Sequence, residues 1–468
     1  MAALRAELVK LRAQRDEHAK RIFGKRSERR TPPPGAKPQE PKKPQTGHGP
    51  TPQPALDEVE DVHTLDEADK ACPKCGGQLE PIPGEFEEHV EVDVEPRKPV
   101  LRRHKRQKYS CQCRECIETA LGPPKLIAGG RYSVGFAAQV AADKYDAGLP
   151  LERQCKLFGR LGLKVLPQTL FDQLWAMACH LKPTYEALRE RMVEKNAFLA
   201  MDESVWRMLE GDKAGVWQIW ALVSPDAVWY GLDPSRSADT AARFLEGFKG
   251  KLMTDGYVAY KTVAKRWAEK GLGLVLVHCW SHARRGLIEC ERDFPEATEA
   301  IRLIDALFVT ERKVGKLEGR ERRDRLAELR RTESAATFAK LDEWLRGQKP
   351  LPGTKLNEAV QYVRNHWTGL VDFIGDPDVP LTNNAAERAM RDPVLGRKTH
   401  YGSRSERGTT VAATFYTLVE SAQMAGLDPT EYLRIATERA IREPGTITLP
   451  QDLAAELAAR KTKGGPAD

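Results

Sequence analysis

At Ala197 the chain changes its hydrophobic period, and no other feature restricts its possible folds as strongly. The segments before it repeat at helical spacing. From there "AFLAMDESVW", "GVWQIWALVS" and "AVWYGLD" are short runs rich in β-branched and aromatic residues, separated by turn residues, and they read as three consecutive strands. "SADTAARFLEGF" then predicts a helix opened by Ser237, and "KLMTDGYVAY" a short buried strand ending at Asp255-Gly256. After a helix-like segment, "GLVLVHCW" predicts a fifth strand running into the helix "SHARRGLIECE". The order is three strands, helix, strand, helix, strand, helix.

A three-strand meander followed by alternating units predicts a ribonuclease-H-like core: a mixed five-stranded sheet with helices on both faces, within a multidomain α/β chain. In that arrangement Asp202, in the middle of the first strand, approaches Asp255 at the tip of the fourth. Two carboxylates cannot both stay ionised there without a cation, so the pairing implies a raised pKa or a metal. Oxygen-rich ligation with open positions favours Mg²⁺ or Mn²⁺. Two such ions can activate an attacking water or hydroxyl and stabilise the leaving oxygen of a phosphodiester. A third carboxylate is then needed from a helix near the sheet, and Glu387 in "PLTNNAAERAMRDPV" is the candidate. Thr382, Asn383 and Asn384 offer N-cap side chains there, and Pro393 predicts the helix end. Arg388, Arg391, Arg397 and Lys398 would meet a DNA backbone. Local pattern leaves alternatives open. Position alone does not choose between Asp202 and Glu203, Asp255-Gly256 also reads as a plain turn, and Glu387 also reads as a salt-bridge partner.

The rest of the chain points toward a polyanion. Residues 1–45 hold 13 Lys+Arg against 5 Asp+Glu, leaving 61 against 62 in the remainder. This basic arm on a near-neutral body suggests nucleic acid, or else a merely solubilising tail. Residues 1–30 predict a basic helix, with Leu4, Leu8, Leu11 and Ile22 near heptad spacing. Residues 31–70 are a Pro- and Lys-rich linker. Within 71–120, Cys72-x-x-Cys75 and Cys113-x-x-Cys116 offer four thiolates to one structural Zn²⁺. The 37 residues between the pairs exceed the usual spacing, Cys111 could replace Cys113, and reduced free cysteines are the plain alternative. Beside the second pair, "RKPVLRRHKRQK" carries Arg97, Arg102, Arg103, Lys105 and Arg106, a phosphate-contacting stripe if they face one way. Residues 130–190 read as helices reaching about Pro183. The second and third are compatible with a helix-turn-helix presenting Gln168, Thr169, Asp172 and Gln173. No apolar run is long enough to span a membrane and no signal peptide is legible, so a cytoplasmic protein is expected.

The strings "AMDES", "LMTDGYVAY", "HCWSHARR" and "PLTNNAAERAMR", with "IFGKRSER", the CxxC unit and "DKYDAGLPLERQ" ahead of them, resemble the insertion-sequence-66 family of bacterial DDE transposases in the same order. The resemblance covers nearly the whole chain. It implies an acidic triad at Asp202, Asp255 and Glu387 and supports the zinc and helix-turn-helix readings. Asp202 to Asp255 is 53 residues, but Asp255 to Glu387 is 132. The excess, 295–376, is helical in pattern and resembles the helical insertion of several DDE families. The catalytic core is then 195–294 with 377–425, and 426–468 is a C-terminal helix and tail. In "VHCWSHARR", His282, Arg284 and Arg285 are expected to contact DNA, a second zinc site is the less favoured reading, and Cys279 defaults to a buried thiol. The activity implied by the resemblance is metal-dependent DNA cleavage and strand transfer of an insertion sequence. The expected partners are terminal inverted repeats and target DNA, a homodimer or larger synaptic assembly at the bacterial nucleoid, and companion proteins of the same element. The rival readings are a nuclease with the same core that only cuts, and a DNA-binding repressor derived from a transposase.

Overall fold

The computed structural model describes residues 98–110, 117–211 and 213–462. The predicted N-terminal helix, the linker, Cys72, Cys75, Cys113, Cys116 and Arg97 lie outside the described residues. Residues 98–107 form no regular element, and Arg102, Arg103, Lys105 and Arg106 along them are exposed. They lead into β1 (Lys108–Ser110), which pairs antiparallel with β2 (Ile117–Thr119).

Three helices follow: α1 (Val134–Tyr145), α2 (Leu151–Arg160) and α3 (Pro167–Lys195). Ser133 opens α1 by accepting from the Phe136 N–H, and Pro167 occupies the first turn of α3, where its missing donor costs nothing. The expectation that α3 ends near Pro183 is corrected, since the helix runs through it to Lys195. An interior proline costs about 3 kcal/mol. Leu181 and Thr184 beside it, and Leu188, Met192 and Val193 beyond it, are buried and hold the helix on course.

The sheet comprises β3 (Phe198–Met208), β4 (Gly215–Val223), β5 (Val228–Asp233), β6 (Gly250–Thr254) and β7 (Leu274–His278). Its order is β5-β4-β3-β6-β7, with β3 antiparallel to β4 but parallel to β6. Between the last strands run α4 (Ala238–Phe244) and α5 (Val258–Glu269), and α6 (Trp280–Glu291) follows β7. Ser237 caps α4 as expected, accepting from Thr240. Alternation sorts the faces of β3. Ala200 and Trp206 join one core together with Trp280 and the first half of α3, while Leu199 and Met201 join a second with α4, α5 and the second half of α3. The sheet is therefore mixed and covered on both faces.

The segment expected as an insertion contains α7 (Ala297–Arg312), α8 (Gly319–Leu329), α9 (Ala335–Gly347) and α10 (Lys355–Val371). The sequence predicts one helix across α8 and α9, but a π turn at Arg330–Ser334 joins them. Arg330 supplies the physical reason. Its side chain is buried, donates to both carboxylate oxygens of Glu311 at 2.8 Å, and donates to the carbonyls of Phe373 and Asp376 at 2.8 and 2.7 Å. The extra residue in the turn turns that guanidinium inward, as π bulges do at positions under specific demand.

The chain returns through α11 (Asn384–Ala389), α12 (Arg391–His400), α13 (Glu406–Met424), α14 (Pro429–Arg442) and α15 (Pro450–Thr462). Pro393, expected to end a helix, instead lies in the first turn of α12, a position that tolerates it. Helix α13 crosses beside the edge strand β5. Thr417 Oγ1 accepts from the Tyr230 N–H at 2.8 Å, and Ser421 Oγ bonds both the N–H and the C=O of Val228. Side chains thus occupy an edge that would otherwise offer itself to another strand. Replacing Arg330 by Ala leaves Glu311 and two carbonyls without their donor, and should destabilise the protein by about 3 kcal/mol, read as a lower urea midpoint with unchanged slope.

Candidate active site

The centre of β3 places Asp202 and Glu203 on opposite faces, and the two acids have different surroundings. Glu203 is buried. Its carboxylate accepts from Arg236 Nε and Nη2 at 2.9 and 2.6 Å and from the Tyr260 hydroxyl at 2.5 Å. Burial still holds its pKa above the ordinary value, against those bonds. Asp202 has no such cation. One of its oxygens accepts from the Glu203 N–H at 2.9 Å. Burial, first, and the charges of Glu203, Asp255 and Glu387 push its pKa up to about 7. The neighbouring acids thus differ in their partners: Glu203 is paired with Arg236, whereas Asp202 is coupled to both Asp255 and Glu387 without a cation of its own.

Asp255 follows β6, one strand over, where Ala200 of β3 registers with Met253. Its side chain accepts from the Tyr257 N–H at 2.8 Å, forming a tight Asx turn. That turn is held by the insertion. The Tyr362 hydroxyl of α10 donates to the Asp255 carbonyl at 2.7 Å, and the His366 ring packs against Gly256. Gly256 has φ +96°, and a Cβ there would lie 2.5 Å from His366 Nε2, so only glycine fits. His278, at the end of β7, meets His366 edge to face, with ring centroids 4.5 Å apart. Burial, reinforced by His366, lowers the His278 pKa to about 3, so it is neutral.

Glu387 reaches the site because its segment is tied down at three places. The Trp280 N–H donates to Leu381 O at 3.0 Å, Asn383 Nδ2 donates to Met201 O at 3.2 Å, and the Tyr230 hydroxyl donates to Ala389 O at 2.6 Å. Asn383 occupies the N-cap position but makes no side-chain capping bond. Its amide is used instead on the strand residue preceding Asp202. Asn384 is exposed, and its N–H faces Thr382 Oγ1 at 3.5 Å.

Beside Glu387, Cys279 Sγ, His282 Nδ1 and a Glu387 carboxylate oxygen lie within 4.8 Å of one another. His282 Nδ1 is 3.7 Å from Glu387 Oε1, and both atoms are buried without a hydrogen-bond partner. Cys279 Sγ accepts from the Asn383 N–H at 3.2 Å and from the N–H groups of Ser281 and His282. His278 closes β7 and His282 lies on α6, so the two part company at the strand-to-helix junction.

The predicted DNA-contacting residues divide by circumstance. Arg388, Arg391 and Lys398 are exposed around α11 and α12, and Arg285 is half-exposed on α6. Arg284 pairs with Asp305 of α7 at 2.6 Å, and Arg397 donates to the Val205 carbonyl. On α3, Gln168 is exposed and bonded to Asp172 at 2.9 Å, and Thr169 is half-buried. Gln173 is buried, so the expectation that it is presented on the surface is corrected. Arg236, Tyr260, Tyr362 and His366 went unpredicted. Each acts through contacts distant in sequence; Tyr260 closes the string "LMTDGYVAY", but no periodicity or motif marks the other three.

Asp202 is coupled by charge to Asp255 and Glu387, acids from separate segments, and an orphaned carboxylate oxygen and an orphaned imidazole nitrogen lie together at Glu387 and His282. Comparison with known proteins gives the family. The profile described as "Transposase IS66 family" matches residues 129–411, more than half of the chain, and the chain belongs to that family. The "zinc-finger binding domain of transposase IS66" matches residues 69–114 and supports a structural zinc; this span includes Cys72, Cys75, Cys111 and Cys113 and stops before Cys116. Similar proteins include two uncharacterized proteins of Sinorhizobium fredii. One, y4jD, is 31% identical over 394 residues, covering 81% of this chain and 76% of its own length. The other, y4qI, is 30% identical over 375 residues, covering 77% and 69%.

The Asp202 pKa gives a signed prediction for the metal-free protein. A carboxyl whose pKa rises from 3.8 to about 7 on folding destabilises the fold as pH rises between those values, because the native state keeps the proton. In EDTA, Asp202→Asn should gain about 2 kcal/mol over wild type at pH 8, after allowance for solvent screening, and nothing at pH 4. Urea melts at the two pH values check this, and adding Mg²⁺ should shrink the pH 8 difference.

Proposed function

We propose that this chain is a DDE transposase that cuts DNA at the ends of an insertion sequence and joins the freed 3′ ends to target DNA. The observation that carries the reading is the charge-coupled gathering of Asp202, Asp255 and Glu387 from β3, the β6 tip and α11. The strand order β5-β4-β3-β6-β7 fits a ribonuclease-H-like core. An orphaned carboxylate oxygen on Glu387 and an uncompensated Asp202 suit hard divalent ions. In this reading the three acids hold two Mg²⁺ or Mn²⁺ ions. Bound, these would activate the attacking water or 3′-hydroxyl and stabilise the leaving oxygen.

The remaining work falls to the protein. Tyr362 and His366 fix the Asp255 turn, and Asn383 sets Glu387 against β3. Glu203 stays out of the ligand set and steadies Arg236, which also stacks on the Tyr257 ring at 4.0 Å. The Arg236 side chain is 45% exposed at the rim, suited to a backbone phosphate. Arg285, Arg388, Arg391 and Lys398 extend that contact, while Arg284 and Arg397 serve the protein itself. Arg102, Arg103, Lys105 and Arg106, with Arg97, follow the phosphates beside a zinc unit held by Cys72, Cys75, Cys113 and Cys116. Gln168 and Thr169 offer base-reading groups. Two DNA ends require two such sites, so the working form is a dimer or larger synaptic assembly on the chromosome, with companion proteins of the element. Among the described residues no helix is long and apolar enough to cross a membrane.

The test uses duplexes carrying the inverted repeats that flank the coding sequence. Wild type with Mg²⁺ should cleave them and should join pre-cleaved ends to target DNA; cleavage without joining would identify a nuclease. Asp255→Asn should reduce both reactions to background while end binding stays within about twofold, as expected when a ligand for catalytic metal is lost and the DNA contacts are kept. Cleavage surviving in that variant would refute the triad.

A further inference from the structure

We infer that Cys279, His282 and Glu387 form a second metal site, soft in character, that takes Zn²⁺ or a similar thiophilic divalent ion. The inference concerns binding, and it stands whether or not the chain is a transposase. Three donors of three chemical types meet here, with Sγ, Nδ1 and a carboxylate oxygen all within 4.8 Å of one another. The 3.7 Å between His282 Nδ1 and Glu387 Oε1 is the edge expected around one tetrahedral ion with bonds of about 2.0–2.3 Å, and Cys279 Sγ, within 4.8 Å of both, would close by at most about 1 Å on binding. Three protein ligands with an open fourth position is the arrangement of exchangeable rather than purely structural zinc.

The surroundings of each donor favour a ligand over an inert core. Cys279 Sγ, at the N-terminus of α6, accepts from the Asn383 N–H at 3.2 Å, which fixes the sulfur beside the other two donors. The two remaining ligand atoms, His282 Nδ1 and Glu387 Oε1, are buried with no hydrogen-bond partner although they lie 3.7 Å apart, and buried polar groups ordinarily find one. Their side chains are 26% and 32% exposed, so an ion can enter from their side although Cys279 is fully buried. The thiolate sets the selectivity. Sulfur and imidazole prefer zinc, cadmium or cobalt, whereas the all-oxygen set of Asp202 and Asp255 prefers magnesium or manganese. Glu387 belongs to both sets, so an ion on Cys279 and His282 fixes where that carboxylate points.

Cobalt provides the test, because thiolate-to-cobalt charge transfer reports sulfur ligation directly. The full-length Cys72→Ser/Cys75→Ser chain removes the knuckle expected to hold the other zinc. Titrated with Co²⁺ alone, it should retain one near-ultraviolet charge-transfer band at about one ion per chain. That band should vanish in the same chain carrying Cys279→Ala, and should shift or weaken at least about tenfold in affinity with His282→Gln. Circular dichroism and thermal melts establish that each variant is folded. Absence of the band from the folded double variant, or its persistence after Cys279→Ala, would overturn the site. Neither readout depends on DNA cleavage, so failure here and failure of the transposase reading are separable.

Discussion

The bond between Asn383 Nδ2 and the Met201 carbonyl is the contact on which the site's geometry rests. Glu387 lies 132 residues beyond Asp255 and nothing local draws the two together. Asn383 is fully buried, and its amide reaches the strand residue immediately before Asp202. A helix turns about 100° per residue, so a slip of one position at Asn383 would swing Glu387 off the site. Each net hydrogen bond contributes only about 1 kcal/mol, but leaving a buried donor or acceptor unpaired costs about 1–3 kcal/mol. With Leu381 held by the Trp280 N–H and Ala389 by the Tyr230 hydroxyl, the register of α11 is set at both ends.

Once the carboxylates are gathered, their mutual repulsion has to be carried by the scaffold. Burial, first, and then the neighbouring carboxylates push the Asp202 pKa up to about 7. Glu203 is also raised by burial, but its bonds to Arg236 and Tyr260 oppose the shift. The two neighbouring acids thus have different partners through strand alternation, one facing the Arg236 guanidinium and the other coupled to Asp255 and Glu387. Stability given up in this way is common where a site must bind a charge absent from the folded chain.

The sheet was largely legible. Two-residue periodicity and turn residues marked β3 to β7 in order, and the tip of the fourth strand correctly located Asp255. Long-range contacts were not legible. Asn383 looks like a helix cap because asparagine usually caps, and only the folded chain offers it the Met201 carbonyl. His278 and His282 are four residues apart, but the strand expected over "GLVLVHCW" ends at His278, and their neighbours His366 and Glu387 come from distant segments that the sequence does not point to. The length of α3 past Pro183 and the π turn at Arg330 both express burial, which a proline or a charged residue in the sequence argues against. Arg236, Tyr362 and His366 sit in segments whose pattern speaks only of turn or helix.

The insertion has a further consequence. Tyr362 and His366 lie on α10, more than a hundred residues after the turn they hold, and Arg330 anchors the same subdomain through Glu311, Phe373 and Asp376. Helix α10 therefore supplies part of the wall behind Asp255, and a change that shifted α10 along its axis would move the support of the glycine turn with it.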